Sequence, residues 1–102
     1  MPENSSDKPF HMFKITKEIA ERHWGDMKFT EHDRSFYVAC RDEPYSAGDL
    51  VVTLVSFGDG FMLGKVKRKH RYITVEVDDI EGALRFPHSD VLPVVGLQTS
   101  IF

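Results

Sequence analysis

Leu50 to Phe57 (LVVTLVSF) is apolar at both alternating positions, whereas a strand with one wet face carries a polar residue at every second place. Such a segment reads as a central strand covered on both sides, or as one stave of a small barrel. Gly58-Asp59-Gly60 follows with the positive-φ positions of a tight hairpin, and Phe61 to Lys67 returns. Arg68 to Arg71 reads as a polar turn. Arg71 to Val77 (RYITVEV) then alternates, with Ile73, Val75 and Val77 on one side and Tyr72, Thr74 and Glu76 on the other. Ser35 to Cys40 (SFYVAC) is aromatic and β-branched, hence a strand, and Arg41 to Asp49 is a turn-rich connection. Val91 to Val95 reads as a last strand, placed at an edge because Pro93 lacks a ladder donor. Asp78 reads as the cap of a short helical turn (DIEGAL).

Only one segment carries a helical period. Ile19, Ala20, His23, Trp24 and Met27 recur at spacings of three and four, after Thr16 as N-cap and with Glu18 in the first turn. Gly25 is a natural stop, and Phe10 to Ile15 before it suits a short strand. Strands joined by hairpins plus one early helix predict an α+β fold: a small, mainly antiparallel curved sheet or β-barrel, with Val52, Leu54, Ile73 and Val75 buried. Residues 1–8 read as a disordered leader, and 9–102 as a single domain.

At 102 residues and 41% apolar content, one disulfide-free core is the expectation. Cys40 is the only cysteine, so an intrachain disulfide and a Cys-rich zinc site are excluded, and a lone thiol suits a reducing compartment. No apolar run approaches the ~18–20 residues that cross a bilayer. The expected location is the cytoplasm, with no membrane partner. The net charge of −3 argues against indiscriminate nucleic-acid binding, yet the positive charge is unevenly placed.

That unevenness is the main chemical signal. Lys65, Lys67, Arg68, Lys69 and Arg71 lie within seven residues, beside Tyr72. Cations next to an exposed ring supply what single-stranded nucleic acid needs, charge for phosphate and a surface for the base. Lys65, Lys67 and Lys69 would share a face if the strand continued that far. The competing reading is a solvated hairpin tip, its charge offset by Glu76, Asp78, Asp79 and Glu81. A second candidate is Lys28 with Glu31, a pair for base catalysis or anion binding if a cleft desolvates the lysine; a surface ion pair is the bland alternative. The five histidines lack metal-site spacing, and no metal or cofactor is expected. His32, Asp33 and Cys40 hold the residue types of a Cys-His dyad, and His88-Ser89-Asp90 the letters of a hydrolase triad.

The order of these features resembles the ASCH group of the PUA-like superfamily, which includes small phage and bacterial domains. Its first strand, of the kind His-x-Leu-Lys-Ile, is matched by His11-Met12-Phe13-Lys14-Ile15 with Phe for Leu. A helix and a Gly-x-Lys motif are paralleled by Gly25-Asp26-Met27-Lys28, one residue longer, and Glu31 stands where amidohydrolase-type members have threonine. Tyr45-Ser46-Ala47-Gly48-Asp49-Leu50 matches an aromatic-x-x-Gly-Asp turn, and Lys65-Val66-Lys67 a later basic strand. The resemblance implies a PUA-like barrel that binds RNA or a nucleotide-like ligand. Two alternatives stand beside it. One is a protein-interaction module, such as a phage or mobile-element product acting on a host protein, motivated by Phe10, Phe13, Trp24, Phe57, Phe61 and Phe102. The other is a small amidohydrolase acting on a modified nucleoside, with Lys28 and Glu31 as catalytic residues.

Overall fold

The computed structural model describes residues 10–55 and 60–100. The leader at 1–8, Phe57, the Gly58-Asp59 half of the hairpin turn and Phe102 lie outside the described residues. The strands are β1 (His11–Ile15), β2 (Ser35–Cys40), β3 (Leu50–Leu54), β4 (Phe61–Lys69), β5 (Ile73–Val77), β6 (Ala83–Phe86) and β7 (Val91–Ser100). One α-helix, Lys17–His23, follows β1, and a single 3-10 turn, His88–Asp90, precedes β7. The fold is thus mostly sheet with one short helix, and every strand pair whose register is described is antiparallel. The chain divides into two compact units, one comprising Cys40–Val94 and the other the flanking stretches up to Ala39 and from Val95.

In the flanking unit the strand order is β1-β2-β7. The helix begins as its sequence implies: Thr16 Oγ1 accepts from the Ile19 amide at 3.2 Å, satisfying one of the orphan donors of the first turn. Ala20 is fully buried, whereas Met27 is 47% exposed, so the apolar stripe ends with the helix. At Gly25 the chain passes close to the end of the helix: a Cβ there would stand 3.0 Å from the Glu21 carbonyl oxygen, a tight contact. Phe29 packs edge-on against Phe36 of β2, ring centroids 5.3 Å apart, and so ties down the segment after the helix.

In the Cys40–Val94 unit the order is β7-β3-β4-β5-β6. β3 is central, as its two-faced apolar run requires: Val51, Val52 and Thr53 are fully buried, and the Thr53 hydroxyl donates to the Met62 carbonyl at 3.2 Å. Leu54, expected in the core, is only half-buried because the strand ends there. Val51, Val66, Ile73, Val75, Val77 and Val91 form one buried cluster, flanked by Tyr45, Met62, Leu84 and Phe86. The Tyr45–Asp49 turn is closed by its own side chains. Asp49 Oδ2 accepts from the Ser46 amide at 2.9 Å, Gly48 takes φ +95°, and Gly48 N donates to the Val66 carbonyl at 2.7 Å.

Three expectations are corrected. β7 lies between β2 and β3 rather than at an edge. The Pro93 carbonyl accepts from the Arg41 amide at 3.2 Å, just past the end of β2 at Cys40. The DIEGAL stretch is not helical: Asp79 (φ +64°) and Gly82 (φ +88°) turn the chain so that β6 pairs with β5. β4 runs through Arg68 and Lys69, so the polar turn begins only at His70.

Gly64 is the tightest point of the β4–β5 ladder. A Cβ there would stand 2.5 Å from the Glu76 carbonyl oxygen and 2.9 Å from Val77 Cα, both backbone atoms that cannot swing aside. Gly64→Ala is expected to destabilise by about 1–3 kcal/mol through overpacking, read as a lower urea midpoint; an unchanged midpoint would show that β4 and β5 separate freely.

Candidate functional site

The basic cluster is sorted by a bulge. Along β4 and β5, Val66 pairs with Val75 and Arg68 with Thr74, two steps on one strand against one on the other, so Lys67 is the extra residue. Paired residues share a face. Lys65 (opposite Glu76) and Arg68 (opposite Thr74) therefore look outward, whereas Lys69, opposite Ile73, is turned to the core side. The expected alignment of Lys65, Lys67 and Lys69 is overturned by that one residue.

Each cation consequently has its own surroundings. Lys69 Nζ sits 4.1 Å from the centre of the Tyr45 ring and donates to the Tyr45 carbonyl at 2.8 Å. Lys67 Nζ lies 3.6 Å from Glu76 Oε1, an exposed pair. Arg68 and Arg71 instead line an open concavity of about 260 Å³, together with His70, Tyr72, Thr74 and Arg85. Arg85 enters because Thr74 pairs with Arg68 on one side and with Arg85 on the other, giving a row of three across β4, β5 and β6. No carboxylate stands in this wall. The Tyr72 ring is 50% exposed. A second concavity, about 490 Å³, is lined by Tyr72, Arg85 and Pro87.

The turn that carries Arg71 and Tyr72 is held from beneath. His88 Nε2 lies 2.6 Å from the His70 carbonyl and must be the donor, because a carbonyl oxygen only accepts. The His70 amide in turn donates to the Tyr72 carbonyl at 3.1 Å. His88-Ser89-Asp90 is thus a 3-10 turn whose histidine serves as a strut.

The other sequence candidates have plainer settings. Lys28 and Glu31 are both exposed, and Glu31 Oε1 stands 3.9 Å from His32 Nε2. The Thr30–Asp33 turn is closed by Asp33 Oδ2 accepting from the Thr30 amide at 2.7 Å. Cys40 is fully buried, and desolvation pushes its thiol up to about 12, so it is protonated at neutral pH and is not a nucleophile. Among the described residues, no group of three or more His, Cys, Asp or Glu is placed to hold a metal, and no helix is long and apolar enough to cross a membrane.

Comparison of the chain with protein-family models, with characterised proteins and with solved structures finds no match.

Arg85 is the residue that sequence reasoning missed. Its signal was the pair of turn residues Asp79 and Gly82 ahead of the alternating Ala83–Phe86, a hairpin return rather than a helix.

Two outcomes follow from these environments. Replacing Lys69 by alanine should cost about 0.5–1.5 kcal/mol of stability, from the lost cation–π contact and hydrogen bond, and thermal denaturation reads it. For Cys40, the unfolded thiol releases its proton from about pH 9 while the folded one holds it to about 12. The unfolded state then binds fewer protons, so stability declines as pH rises through that window. Urea midpoints at pH 8 and pH 10.5 should fall further in the wild type than in Cys40→Ala; equal falls would refute the assignment.

Proposed function

We propose that the outer face at the β4–β5 turn binds single-stranded RNA or a nucleotide-like ligand, in a domain of PUA-like, ASCH-related type with a barrel-like sheet. The observation that carries the reading is the convergence of Arg68, Arg71, Arg85 and Tyr72 around one concavity with no carboxylate in its wall. Guanidinium groups bind phosphate through paired N–H donors, and their planar fork loses less freedom than a lysine tail in doing so. A half-exposed tyrosine ring offers a base a stacking surface without sequence selection. Lys65 adds charge on the same face, while Lys67 and Lys69 are engaged with Glu76 and Tyr45. Lys28 and Glu31, the residues of the amidohydrolase alternative, take no part in this reading.

Fluorescence anisotropy with a labelled oligoribonucleotide tests it. With Arg68 and Arg71 gathered on one phosphate and Arg85 on the next, log K should fall against log salt with a slope near −1.4, at ~0.7 per single-strand phosphate. Arg68→Ala, Arg71→Ala and Arg85→Ala should each weaken binding, and Arg85→Ala should flatten that slope by about 0.7. Tyr72→Ala should weaken binding by about 5- to 150-fold, the equivalent of ~1–3 kcal/mol of stacking, and leave the slope in place. Lys69→Ala should leave affinity unchanged at a temperature where the variant is folded. Absence of binding at low salt, where the attraction is strongest, would sink the proposal and favour a protein partner.

A further inference from the structure

The two concavities at this face share a wall. Tyr72 and Arg85 line both, Arg68 and Arg71 line only the smaller, and Pro87 lines only the larger. The smaller, at about 260 Å³, falls just under the ~300–1,000 Å³ of a typical small-molecule site, which gives it room for one nucleotide. From this arrangement, and resting on the nucleotide-binding reading above, we infer that the site is built for two consecutive nucleotides of one strand. The first occupies the smaller concavity, its outer phosphate on Arg68 and Arg71. Arg85, common to both, holds the phosphate between the two nucleotides. The second base lies in the larger concavity between Tyr72 and Pro87.

Several features favour this over a diffuse basic surface. Each concavity sets at least one arginine beside Tyr72, the combination of charge and ring surface that a phosphate–base chain requires. Thr74, at the centre of the row, is short enough to leave the floor open between the two arginines. Pro87 is exposed, and its backbone already stands in the extended conformation (φ −67°, ψ 155°) before the His88 strut, so its ring needs no ordering on binding.

Calorimetric or anisotropy-competition titration of the full chain decides the matter, with uridine monophosphate, a 5′-phosphorylated uridine dinucleotide and a uridine hexanucleotide. Affinity should rise at least tenfold from mono- to dinucleotide, and by less than about threefold from di- to hexanucleotide once corrected for the number of registers. Pro87→Ala should weaken the dinucleotide and leave the mononucleotide unchanged. Arg85→Ala should weaken both and reduce the mono-to-di gain below threefold, with Arg85→Lys restoring part of it. Equal affinity for mono- and dinucleotide would overturn the two-nucleotide inference while leaving the binding reading intact. A gain that keeps growing in proportion to length would also overturn it, as the mark of general polyelectrolyte attraction. Failure of all three ligands to bind would remove the binding reading itself.

Discussion

The ladder between β4 and β5 is the constraint on which the rest of the Cys40–Val94 unit depends, and it is set by two residues, Gly64 and Lys67. At Gly64 the backbones of the two strands approach so closely that no side chain fits. Three residues on, the same strand inserts Lys67 and exchanges its faces. Without that insertion, Arg68 would stand opposite Ile73, on the face that carries the apolar cluster. With the insertion, Arg68 is delivered to solvent beside Thr74, and the inward position falls to Lys69, which is long enough to lay its charge on Tyr45 at the end of the core.

The same bulge links the turn at Tyr45–Asp49 to the basic face. Tyr45 belongs to the core cluster, receives Lys69 on its ring and supplies the carbonyl that Lys69 bonds. Gly48 and Asp49 then pair with Val66, the last β4 residue before the bulge. The aromatic-x-x-Gly-Asp pattern is therefore accounted for locally: the ring packs, the glycine takes a positive φ, and the carboxylate closes the turn. None of the three needs a ligand to explain its presence.

How much of this was legible in the sequence varies by interaction range. β5 was legible from its period of two, β3 from a run apolar at both alternating positions and β2 from its β-branched and aromatic residues, all local properties, and the helix start because Thr16 caps only three residues ahead. The faces of β4 beyond Val66 were not, since a bulge depends on how the partner strand is paired and leaves no mark in alternation. Pro93 was misread for a related reason. A missing donor biases a strand toward an edge, but strand order is fixed by long-range pairing. Arg85 carries no chemical signal alone and acquires one from strand pairing. The basic cluster was visible as a run, yet only Arg68 and Arg71 among its five cations reach the concavity.

Charge placement reconciles an acidic chain with the anion-binding face proposed for it. The carboxylates that threatened to neutralise the basic run are divided by the structure. Glu76 sits opposite Lys65 and lies 3.6 Å from Lys67 Nζ. Asp78, Asp79 and Glu81 belong to the β5–β6 turn, at the opposite end of β5 from the turn that carries Arg71 and Tyr72. At about 3.3 Å per residue, the six steps from Tyr72 to Asp78 span about 20 Å, against a screening length of about 8 Å at physiological ionic strength. Over more than two such lengths, exposed charges scarcely act on one another. The acidic turn would therefore do little to weaken the phosphate binding proposed at Arg68, Arg71 and Arg85, while it still contributes to the net negative charge that repels long polyanions from the rest of the molecule. A face of this kind favours a short, locally held segment over a long duplex laid across the whole surface.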